Sequence, residues 1–193
     1  MKNEASALPP PVLLAITYAP VQVRARLAWL LTLDQRLADV LTRASEPMIA
    51  QLRLSWWRDA LKTSPDKRPK GEPLLADLNE IEPDETLIVA SLAIVDAYEI
   101  LATDADMMAQ VTAQKQRISA ICCAYSFWIE DEALDSSSAD QVADYWRNPA
   151  GPIPKSIPRI LRPLSILALA EKLERFPKGA SPLRLNWHAL TGR

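Results

Sequence analysis

Sixteen prolines cut this chain into segments, and between the cuts the apolar residues recur at helical spacing. Proline removes a backbone donor and collides with the carbonyl one turn back, so helix interiors must lie between prolines. The prolines fall at 9–11, 20, 47, 65–73, 83, 149–163 and 177–182. No segment alternates apolar and polar residues in the sustained way of a half-buried strand. The predicted class is therefore all-α. Helices are expected near 11–18, over 20–43, over 46–62 with Ser45 as N-cap, at 73–80, over 85–102 capped by Asp84, and over 105–130. Further helices are expected at 138–147, 160–175 and 181–190. "TSPDKRPKGEP" reads as a polar, mobile loop. The reading is one helical domain over 20–193, of roughly eight to nine helices, preceded by a Pro-rich segment and short helix at 1–19.

Composition narrows the function. The 193 residues carry 22 basic and 24 acidic side chains, which leaves no electrostatic footprint for nucleic acid. The two cysteines, Cys122 and Cys123, are adjacent, a poor geometry for a disulfide; they read as small buried apolar residues of a protein in a reducing compartment. Gly71, Gly151, Gly179 and Gly192 form no phosphate-cradling pattern. The single histidine, His188, cannot build a multi-histidine zinc site and reads as a surface or capping residue. The longest apolar runs, 87–95 and 164–170, are too short to span a bilayer, although the stretch after Pro11 can rest on a membrane surface.

The carboxylates and tryptophans carry what chemistry there is. At about 100° per residue, Val23, Leu27, Leu30, Asp34, Leu37 and Leu41 share one line, so Asp34 points into an apolar seam while Asp39 points towards solvent. An inward carboxylate needs a partner, and Arg53 and Arg58 on the next helix are the candidates for a structural ion pair. Asp96 and Glu99 share a face of "LIVASLAIVDAYEIL", a helix apolar nearly all round and expected at the middle of a domain. Two Asp-x-x-x-Asp pairs exist, Asp131 with Asp135 and Asp140 with Asp144; the second lies on a helix and is the weak metal-site candidate. Trp56 and Trp57 point about 100° apart and can both pack only where two neighbours flank their helix.

The stretch "RARLAWLLTLDQRLADVL…EPMIAQLRLSWWRDAL" resembles the opening of squalene/phytoene synthase family proteins. "LIVASLAIVDAYEILAT", the helix with Arg117, "IPRILRPLSILALAEKLE" and "NWHALTGR" resemble later family helices. The resemblance implies an isoprenoid-synthase-like bundle around an apolar cavity. Active members are implied to hold Mg²⁺ on facing Asp-x-x-x-Asp pairs, where the cations neutralise a leaving diphosphate. In this chain Ala38 and Thr42 stand at two of those ligand positions and only Asp39 survives. The likeness is strongest to the branch that includes the mitochondrial complex I assembly factor, whose members carry Asn and Glu where this chain has Asp34 and Arg36. The expectation is a pseudoenzyme that needs no cofactor and binds a protein partner or an isoprenoid-like lipid, with a role in assembling a respiratory complex. Its place would be the bacterial cytoplasm or the mitochondrial matrix side, with peripheral membrane contact. Trp56, Trp57, Arg53, Arg58 and Arg117 are the expected lining of a substrate or lipid cavity. The alternative is a Mg²⁺-dependent prenyltransferase condensing isoprenyl diphosphates head to head, with Asp34 and Asp39 as catalytic carboxylates and Asp140 and Asp144 as metal ligands.

Overall fold

The computed structural model describes residues 8–103, 106–129, 136–148, 154, 157–175, 188 and 191. Among them are eight α-helices, two 3₁₀ turns and no strand. The α-helices are α1 (Pro10–Tyr18), α2 (Val21–Arg43), α3 (Pro47–Lys62), α4 (Pro73–Glu80), α5 (Glu85–Leu101), α6 (Met107–Ile129), α7 (Ser136–Arg147) and α8 (Arg162–Arg175). Of the helix expected over 181–190, only His188 lies among the described residues.

Proline sets the starts. Pro10, Pro47 and Pro73 begin α1, α3 and α4, where a missing N–H leaves no intrahelical bond unmade. The expected Ser45 cap is corrected to Glu46, one residue on, because Pro47 fixes the first helical position. At α5 and α6 an aspartate caps the first turn instead. Asp84 accepts from the Leu87 amide at 2.7 Å, and Asp106 accepts from the Ala109 amide at 2.8 Å. The loop before α4 is not the loose segment its composition suggested. It contains a 3₁₀ turn, Pro65–Lys67, and Arg68 is buried, donating to the Thr63 carbonyl and the Asn79 side chain.

The chain forms two compact units: residues 25–124 make one, and 1–24 with 125–193 make the other. In the middle unit α3 packs on α5, and the fully buried side chains include Leu27, Leu30, Leu37, Leu54, Leu87 and Ile94. Trp29 ties α2 to the start of α4, its indole N–H donating to the Leu74 carbonyl at 2.7 Å. In the terminal unit α8 packs against both α1 and α7. There the Tyr125 hydroxyl donates to the Ile160 carbonyl at 2.6 Å, and the Trp146 indole donates to Glu171 at 2.7 Å. No helix among the described residues is long and apolar enough to cross a membrane.

His188 and the cysteines correct their sequence readings in part. His188 is buried, with Nε2 3.1 Å from the Ser165 hydroxyl of α8. Cys122 is buried as expected, but Cys123, the next residue round the helix, is exposed; neither forms a disulfide.

Candidate functional site

Asp34 sits midway along α2 in a seam of leucines, which places a carboxylate where water is scarce. Its side chain is 15% exposed and both of its oxygens are engaged. Arg117 of α6 donates from Nη1 to Oδ2 at 2.6 Å, and the Tyr98 hydroxyl of α5 donates to Oδ1 at 3.1 Å. Arg117 is itself oriented by Gln114, which accepts from its Nε at 3.1 Å. Burial, reinforced by the Asp34 charge, holds the Tyr98 hydroxyl well above the usual phenol range. Tyr98 therefore stays a donor at neutral pH. The arrangement is a compensated charge, with three helices of the middle unit meeting at one carboxylate.

The inward direction of Asp34 was legible in its sequence position, but its partner is neither Arg53 nor Arg58. Arg58 is engaged by α5, its Nη2 lying 2.5 Å from both Asp96 and Glu99. Those acids, led by the hydrogen bond to Asp96, raise the Arg58 pKa and hold the guanidinium charged. So the shared face of Asp96 and Glu99 has a purpose: it binds α3 to α5.

Asp39 corrects a second expectation. Helical phase points it towards solvent, yet its side chain is only 18% exposed. Gln35 donates to it at 3.2 Å and Arg43 pairs with it at 3.4 Å, so neighbouring side chains of α2 cover it. In the terminal unit Asp140 and Asp144 are both exposed on α7, and Asp144 pairs with Arg147 one turn on at 2.6 Å. Asp131 and Asp135 lie outside the described residues. Among the described residues no three His, Cys, Asp or Glu side chains gather as a metal site requires.

The two tryptophans part company. Trp57 is buried and packs in the core, whereas Trp56 is 41% exposed. Their rings meet edge to face, with centroids 5.1 Å apart and planes at 80°. Beside them lies a surface groove of about 260 Å³ lined by Val40, Ile49, Leu52, Arg53, Trp56 and Trp57. Met48, Leu52 and Trp56 recur every fourth residue, so an exposed apolar stripe runs along α3 with Arg53 beside it. The expectation that both tryptophans need flanking neighbours holds for Trp57 alone.

The sequence matches no family model, no curated protein and no solved structure.

Proposed function

We propose that this chain is a non-catalytic protein of the squalene/phytoene synthase kind that works by binding a protein partner at the α3 groove. The observation that carries the reading is the Asp34–Arg117 pair. A carboxylate already neutralised by a guanidinium, with its second oxygen held by a phenol, can take Mg²⁺ only in competition with those bonds. The groove supports the binding half of the reading. An exposed tryptophan, an apolar stripe and an exposed arginine at its edge make up the side-chain types that dominate protein interfaces. At about 260 Å³ it is small for a whole lipid but suits a few apolar side chains with a carboxylate presented to Arg53.

Two measurements test this. Incubation with farnesyl or geranylgeranyl diphosphate and Mg²⁺ is expected to release no diphosphate; release would establish the prenyltransferase instead. A photo-cross-linking residue placed at Leu52 is expected to capture polypeptide, and Arg53→Glu to abolish the capture. Cross-links to lipid alone would replace the protein partner with an isoprenoid-like lipid.

A further inference from the structure

The terminal unit has a second concavity, an open pocket of about 640 Å³ where the α1–α2 turn faces the residues that precede α8. Its described lining is Thr17, Tyr18, Ala19, Pro20, Val21, Arg24, Arg159 and Ile160, with two arginines and no carboxylate among them. In a chain of net charge −2 that is an unusual local balance. Most of the described arginines elsewhere are spoken for: Arg26, Arg36, Arg43, Arg58, Arg117 and Arg147 each pair with an acid.

The two pocket arginines differ in how they are held. Arg24 reaches back to the end of α1, donating from Nε and Nη2 to the Ala19 carbonyl at 3.3 and 2.9 Å and from Nη2 to the Thr17 carbonyl at 3.2 Å. These bonds occupy one edge of the guanidinium and offset the negative end of the α1 dipole. They also fix its plane, and Nη1 keeps its two protons with no partner among the described residues. Arg159 is exposed and joins no ion pair among the described residues. Around these cations the lining mixes the hydroxyl-bearing Thr17 and Tyr18 with apolar Ala19, Pro20, Val21 and Ile160, and Val21 is 71% exposed. A pre-oriented guanidinium, a second exposed one and a partly apolar rim together match a phosphoryl group carried on an apolar body.

We infer that the Arg24–Arg159 pocket binds a phosphate group, either free or as the headgroup of an anionic lipid. This site is separate from the α3 groove and stands whether or not that reading does. The chemistry is the same for both sources: Nη1 of Arg24 and the Arg159 guanidinium donate to phosphate oxygens. With a lipid, Val21 and Pro20 would additionally lie against its acyl region.

The test uses the full chain. Binding of pyrophosphate is measured by calorimetry, and co-sedimentation with phosphatidylglycerol vesicles is compared with phosphatidylcholine vesicles. Arg159→Gln is expected to weaken the response at least about fivefold, while Lys70→Gln, an exposed lysine outside the pocket with the same charge change, leaves it unaltered. Arg159→Lys is expected to recover part of the loss. Arg24→Gln also removes a helix-end contact, so it is read only after circular dichroism shows an unchanged fold. Vesicle binding that pyrophosphate displaces identifies a lipid headgroup. Calorimetric binding without vesicle binding identifies a free phosphate compound. Equal weakening by Arg159→Gln and Lys70→Gln, or no binding in either assay, overturns the proposal.

Discussion

Removing the Arg117 guanidinium leaves the Asp34 carboxylate with Tyr98 as its one remaining donor among the described residues. Arg117→Ala is therefore expected to cost about 2–3 kcal/mol, somewhat below the cost of breaking a fully buried pair because both side chains keep slight exposure. The double variant Asp34→Leu/Arg117→Met, which removes both charges, is expected to cost less than Arg117→Ala alone. Urea unfolding of the two variants measures the difference. Tyr98 adds a pH dependence whose sign is fixed by its raised pKa, as does the buried Tyr125. Both phenols hold their protons more tightly folded than unfolded, so their contribution is full below the ordinary phenol pKa of about 10 and is lost as pH climbs beyond it. Tyr98→Phe is expected to flatten the alkaline fall in stability, read from denaturant midpoints across that range. The direction of Asp34 could be read from helical phase alone. Its partner could not, because Arg117 lies 83 residues away and only tertiary packing brings it near. His188 escaped for the same reason: nothing local tells a buried imidazole beside Ser165 from an exposed one.

Along α3, neighbouring residues have opposite fates, and substitution should expose the contrast. Trp57→Ala opens a core cavity and is expected to cost about 3–5 kcal/mol. Trp56→Ala, at an exposed site, is expected to cost less than about 1 kcal/mol while removing binding at the groove. Thermal unfolding and cross-linking yield read the two effects apart. Helical periodicity shows that the rings diverge by about 100°, but not which one meets another helix. Proline and aspartate spacing, by contrast, marked most helix starts to within a residue or two, because a proline at the first turn and an aspartate cap act through bonds inside their own helix. Arg68 shows the limit of that local logic. Its loop is rich in proline and charge, yet one buried guanidinium secures it to α4 through Asn79.

At the scale of the whole chain, an all-α composition was legible from apolar spacing and proline placement, whereas the division into two units was not. A boundary after residue 19 follows the prolines; the contacts instead join the first 24 residues to 125–193. The reason is α1, an apolar helix that buries Ala15 and packs on α8. Deleting residues 1–19 is expected to strip amide protection from α8 in hydrogen exchange and to make the protein bind a hydrophobic dye.

That pairing of α1 with α8 sets a timetable for synthesis. Residues 25–124 are contiguous and can complete their unit as soon as they leave the ribosome, but α1 must wait until all of them and α7 have emerged before its companion exists. A message truncated before α8 would release a polypeptide with one finished unit and with α1 and α7 both lacking the helix they pack on, the sort of exposed segments that quality-control proteases and chaperones recognise.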